Sequence, residues 1–234
     1  MGEYGNGMKS EVFNEDCMAG MARYPDKFFE LAIVDPPYGI GENWKKDRSS
    51  PFYKHSSSYK NDTIPREDFF LELFRVSKNQ IIWGANYYTG YLNARNSWIC
   101  WDKERDYPTQ HLAEGELAWT SFNIPLRIVK ILWNGACRRE PRFGSHPHEK
   151  PVALYKWLLQ NYAKPGDKIL DTHLGSGSSR IAAYDMGFDF YGWELDADYF
   201  AAMQKRFEAH IAKPALFAPA DMYQFEQAKL FETP

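Results

Sequence analysis

Leu31-Ala32-Ile33-Val34 is apolar throughout and runs directly into Asp35-Pro36-Pro37-Tyr38. Neither proline donates a backbone hydrogen and each fixes its own φ, so a strand that reaches this point has to leave its sheet. On leaving, the chain presents a carboxylate (Asp35), two stiffly held carbonyls (Pro36 and Pro37) and a flat ring (Tyr38). A lone Asp-Pro pair more often makes a rigid turn. Four such residues behind an apolar strand point instead to a strand-end loop, where α/β proteins keep their chemistry.

The rest of the chain supports that class. Glu11 to Phe13 reads as a short strand, and Asn14-Glu15-Asp16 after it is a helix-start signal. Behind Pro65, the residues Phe69, Leu73 and Val76 recur at helical spacing, and 80–83 reads as a strand ending at Gly84. Val152, Tyr155, Leu158, Leu159 and Tyr162 form one helical face. A strand at 168–170, a helix at 181–186, a strand over "FDFYGWE" and a helix at 197–210 follow. Alternating strands and helices predict βαβ units: a doubly wound, Rossmann-like sheet with helices on both faces. The rhythm lapses from 91 to 145, where "SWICW", "GELAWTSF" and "RIVKILW" are short and β-rich. This predicts a core of 11–90 and 146–212, a small β-rich insert at 91–145, and a tail at 213–234 with no role assigned. Residues 44–61 are polar, Ser-rich, basic and aperiodic, the pattern of a long loop.

Composition narrows the function classes. A net charge of -3 over 234 residues argues against a wholly basic coat, though not against a basic face. Three widely spaced cysteines make neither a disulfide framework nor a zinc site, and His146-Pro147-His148 is a weak metal signal, so no metal is expected. No apolar run reaches membrane-spanning length and the N-terminus shows no signal segment. The expectation is a cytoplasmic protein without a membrane partner.

A second constellation lies in "KILDTHLGSGSSR", where Asp171 and a Gly-x-Gly pair (Gly175, Gly177) sit between a strand and a helix. Glycines there allow a ligand close to backbone amides at a helix N-terminus. One strand later Glu194 can accept from both hydroxyls of a ribose. The third glycine of a dinucleotide loop is missing, and no Gly-Lys-Ser/Thr ends the loop, so a nucleoside site is favoured over a pyrophosphate cradle. A Gly loop that merely turns the chain is equally compatible with these residues alone.

With both constellations in hand, the chain resembles the DNA amino-methyltransferases, and its motif order is similar to the permuted β group of that family. Asp35-Pro36-Pro37-Tyr38 matches the catalytic tetrapeptide, and "DTHLGSGSSR" with "YGWELDADYF" matches the cofactor half. Thr172-His173 stands where relatives usually have Pro-Phe, and "HPHEKP" replaces the commoner "HPTQKP", keeping Lys150 and Pro151. The resemblance implies S-adenosylmethionine as cofactor and an exocyclic amine, adenine N6 before cytosine N4, as acceptor. It implies that Asp35 and the Pro36 carbonyl take the amino hydrogens, that Pro37 stiffens the turn, and that Tyr38 stacks on a base extruded from the duplex.

The implied cofactor residues are Asp16, which would accept from the cofactor's adenine amino group or simply cap its helix, with Cys17, Asp35, Lys150, Asp171, His173, Leu174, Gly175, Ser176, Gly177, Glu194 and Leu195. Double-stranded DNA is the implied partner, reached through Lys45, Lys46 and Arg48 in the polar loop and Arg138, Arg139 and Arg142 in the insert, with salt-dependent binding. A homodimer is the assembly to test. Rivals are an RNA or protein-amide methyltransferase, a catalytically silent nucleic-acid-binding module and, least favoured, a nicotinamide dehydrogenase.

Overall fold

A computed structural model describes residues 2–4, 7–39, 62–105, 113–134, 137–138 and 149–213. Its strands are β1 (Gly2–Tyr4), β2 (Met8–Phe13), β3 (Phe29–Val34), β4 (Ser77–Trp83), β5 (Trp98–Asp102), β6 (Gly115–Thr120), β7 (Arg127–Lys130), β8 (Trp133–Asn134), β9 (Cys137–Arg138), β10 (Lys168–Asp171) and β11 (Asp189–Trp193). Its helices are α1 (Cys17–Met21), α2 (Glu67–Val76), α3 (Val152–Tyr162), α4 (Ser178–Asp185) and α5 (Ala197–Ile211). Nine strands form one sheet in the order β1-β2-β11-β10-β3-β4-β6-β5-β7.

The five strands from β2 to β4 are mutually parallel. A parallel strand is covered on both faces, and for that reason β3 reads as an apolar run rather than an alternation. Its residues divide by parity. Leu31 and Ile33 join Ile81, Trp83 and Ile169 in a core under α3 and α4, whereas Ala32 and Val34 join Ile82, Leu170 and Trp193 in a core under α1 and α2. Helices on both faces make the sheet doubly wound, as expected.

Residues 98–130, within the β-rich insert expected at 91–145, extend the main sheet: β6 pairs with β4, β5 with β6, and β7 with β5. Ile99, Trp101, Ala118 and Val129 enter the same core as Leu31 and Ile81. β6 pairs antiparallel with both β4 and β5, and β7 lies parallel to β5 with β6 as the return strand between them in sequence, so the sequence rhythm changes while the core does not. Among the described residues, β8 and β9 stand apart as a two-stranded ribbon. Two boundaries also move: β4 begins at Ser77, directly after α2, and α4 starts at Ser178 rather than at 181.

The topology places the site. The connection from β10 leads through α4 to β11 on one side, and that from β3 leads through α2 to β4 on the other. Helices leaving an adjacent strand pair in opposite directions open a crevice at the carboxyl ends of those strands. Asp35 follows β3 there and Thr172 follows β10. Among the described residues no helix is long and apolar enough to cross a membrane.

Candidate active site at the carboxyl edge of the sheet

A cavity of about 420 Å³ occupies this crevice, and both sequence constellations open onto it. Asp35, Pro36, Pro37 and Tyr38 line it, as do Asp16, Cys17, Lys150, His173, Leu174, Gly175, Ser176, Glu194 and Leu195. Asp171 and Gly177 do not. The Asp171 side chain turns behind the loop and accepts from Ser179 Oγ (2.6 Å) and the His173 amide (3.0 Å). Burial lifts its carboxyl to about 7. Gly177, at φ +76°, caps α4 against Met203, whose Cγ would lie 2.4 Å from an added Cβ. Both residues shape the loop from behind the cavity lining.

The tetrapeptide is held from several sides. Tyr38 donates its hydroxyl to Asp35 Oδ1 at 2.5 Å, and Lys150 donates to Asp35 Oδ2. The Tyr38 ring lies where a side chain on Gly84 would be, 2.1 Å from an added Cβ, and stacks on Tyr87 at 5.1 Å and 14°. Gly84 has φ +66°, so both backbone and space demand glycine there. Tyr88 places its hydroxyl 2.7 Å from the Pro36 carbonyl and 2.7 Å from the Pro37 carbonyl. One proton serves two acceptors, so this phenol fixes the carbonyls that the prolines stiffen. Tyr88→Phe keeps the buried shape and removes that donor; urea unfolding should show a loss of about 1 kcal/mol.

At the glycine end, the Glu194 carboxylate accepts from the Gly175 amide (2.8 Å) and the Asp196 amide (3.0 Å). Burial raises its pKa and these amides counter the rise. Each oxygen has one amide and keeps further acceptor capacity toward the cavity. Asp16 caps α1 by accepting from Met18 N (2.7 Å) while also lining the cavity. Cys17 has its thiol pushed up to about 12 by burial and by Asp16, which leaves it an uncharged lining group.

His173 is held down to about 4 by burial, despite the pull of Asp35 and Asp16. Its ring is therefore neutral near pH 7 and meets Phe69 edge-on at 5.6 Å. A depressed folded-state pKa stores stability that is present above 6.5 and lost as the pH falls toward 4. His173→Phe should therefore lose less stability than the parent over that interval, by up to about 3 kcal/mol, in denaturant unfolding at the two pH values.

Sequence reasoning missed Tyr87, Tyr88, Lys103 and Glu116. The first two follow Gly84 at the end of β4, and the strand-end argument applied to Asp35 would have reached them. Glu116 and Lys103 carry no local signal. Lys150 is 3.0 Å from Glu116 Oε2, and Lys103 is 2.6 Å from Glu116 Oε1. Burial would raise the Glu116 carboxyl, but the two lysines hold it well below the usual carboxylate range. The proposed DNA-contact residues Lys45, Lys46, Arg48, Arg139 and Arg142 lie outside the described residues, as does the polar loop 44–61. Arg138 is described only as backbone, in β9.

Comparison with known proteins matches residues 95–205 to the family described as DNA methylase. YubD of Escherichia coli (strain K12) is 25% identical over 221 residues, spanning 86% of this chain and 91% of that protein. The type II methyltransferase M2.DpnII of Streptococcus pneumoniae is 28% identical over 138 residues, spanning 56% of this chain and 51% of its own length. The crystal structure of the M1.HpyAVI-SAM complex superposes with a TM-score of 0.55 at 17% identity, covering 84% of this chain and 98% of that one. At that identity the likeness is one of fold.

Proposed function

We propose that this S-adenosylmethionine-dependent DNA methyltransferase, which matches the DNA methylase family over residues 95–205, has as its acceptor the exocyclic N6 of an adenine turned out of the duplex. The observation that carries this reading is the shared cavity: the Asp35 carboxylate and the glycine loop at Gly175 open into one space. The cavity is of the size that small-molecule sites have. The cofactor supplies an electrophilic methyl group on a sulfonium.

The protein's part is binding and alignment. Glu194 holds the ribose hydroxyls with the acceptor capacity its two amides leave over. Asp16 accepts from the adenine amino group of the cofactor, and Cys17, His173, Leu174 and Leu195 pack around it, with Gly175 and Ser176 beneath its amino-acid end. The amine to be methylated is a poor nucleophile because its lone pair is delocalised into the base ring. Asp35 and the Pro36 carbonyl accept its two hydrogens, which favours a pyramidal nitrogen and stabilises the charge that grows on it. Asp35 is also the carboxylate within reach of the proton that nitrogen releases. The incoming amine displaces the Tyr38 hydroxyl and Lys150 from Asp35, and the base shares the Tyr38 platform with Tyr87.

Arg127 and Lys130 of β7, with Arg138, Arg139 and Arg142 beyond it and Lys45, Lys46 and Arg48 beyond Tyr38, are proposed phosphate contacts. Two copies acting as a homodimer are tested by sedimentation with and without duplex. A cytosine N4 presents the same pair of amino hydrogens and is the second reading. Incubation with labelled cofactor and genomic DNA, followed by digestion to nucleosides, separates the two. N6-methyldeoxyadenosine is expected; N4-methyldeoxycytidine favours the second reading, and label confined to RNA or protein overturns both.

A further inference from the structure

We propose that Glu116 is a positioning residue for methyl transfer: it takes over the Lys150 ammonium when the target amine occupies Asp35. The inference rests on the reading of Asp35 given above and goes beyond it, to a residue that lies outside both sequence constellations and outside the cavity lining.

Both acceptor atoms of Asp35 are occupied by this chain's own donors, the Tyr38 hydroxyl on Oδ1 and Lys150 on Oδ2. An arriving amine that donates to Oδ2 therefore competes with a buried ammonium for that oxygen. The Lys150 side chain is 3% exposed, so its charge is balanced by protein groups rather than by bulk water. Without a second anion, leaving Asp35 would make it an uncompensated charge in the interior, which is strongly unfavourable.

Glu116 removes that obstacle. Its Oε2 already lies 3.0 Å from Lys150 Nζ, and its Oε1 is clamped by Lys103 at 2.6 Å, which keeps the carboxylate aimed at Lys150. The ammonium also lies over the rings of Trp83 and Tyr38, at 5.5 and 5.8 Å from their centroids. These contacts persist when it lets go of Asp35. Two lysines and two carboxylates make the row neutral, so a shift of Lys150 from one carboxylate to the other changes no net charge. In the site empty of substrate the two carboxylates outweigh the effect of burial and raise the Lys150 pKa, which favours the ammonium. Asp35 is thereby shielded while the site is empty of substrate and released when the amine arrives.

Glu116→Gln keeps the shape and removes the charge, leaving Asp35 as the only anion of Lys150. Single-turnover methyl transfer at saturating cofactor should fall about tenfold or more, and the apparent KM for duplex DNA should rise. Cofactor Kd should stay within about twofold, since Glu116 does not line the cavity. Glu116→Asp should restore most of the rate, and Lys103→Met, which loosens the clamp, should lower it by a smaller factor. An unchanged rate in Glu116→Gln overturns the inference. So does a rate loss matched by an equal loss of cofactor affinity, which would mark a scaffold role. If Glu116→Gln does not fold, an unchanged rate in Lys103→Met overturns it instead. Asp35→Asn in the same assay keeps the two claims apart: full activity there sinks the reading of Asp35 itself, whereas a dead Asp35→Asn beside an unaffected Glu116→Gln sinks only this inference.

Discussion

Asp35→Ala is expected to lower the methyl-transfer rate by about three orders of magnitude while cofactor affinity stays within a few-fold. The carboxylate is the only charged acceptor that the tetrapeptide offers to the cavity, and the interaction it makes strengthens as charge builds on the amine nitrogen. Removing it acts on the transition state far more than on binding. The variant should still fold, because Lys150 retains Glu116 at 3.0 Å as a second anion. Single-turnover assays with labelled cofactor, equilibrium binding and thermal unfolding separate these effects. A variant that transfers methyl groups at a tenth of the parent rate or faster would remove Asp35 from the chemistry.

Glu194→Ala should weaken cofactor binding about a hundredfold, with a much smaller effect on the rate once the site is filled. Two losses coincide. The ribose loses its acceptor, and the amides of Gly175 and Asp196, at 2.8 and 3.0 Å, lose the carboxylate that ties the glycine loop to the start of α5. Glu194→Gln should be only partly better, because one amide-bearing end would be a donor facing another donor. Titration calorimetry with the cofactor product reads the affinity directly. An unchanged Kd in Glu194→Ala would mean that the ribose is held elsewhere.

The parts of this site that were legible in the sequence are those with local physical causes. Pro36 and Pro37 end β3 by backbone geometry, Gly175 at φ +49° turns the loop after β10, and the apolar runs of β3 and β10 reflect burial on both faces. These suffice to predict a doubly wound sheet and two neighbouring strand ends. What was not legible depends on direction or distance. Asp171 and Gly177 belong to the expected motif, but a motif does not say which side of a loop a side chain faces. The contact between Lys150 and Asp35 spans 115 positions, and Glu116 joins it from a strand whose place in the sheet the sequence rhythm concealed. The strands at 98–130 read as a β-rich insert because their sequence loses the strand–helix alternation, and their side chains complete the same core as β3 and β4.

The most direct measurement is a crystal structure of the protein with S-adenosylmethionine. The ribose should lie on Glu194 and the donor methyl should face the tetrapeptide, within about 5 Å of the Asp35 carboxylate, leaving room for one amine nitrogen between them. A cofactor bound outside the crevice, or bound within it with its methyl turned away from Asp35, would contradict the account.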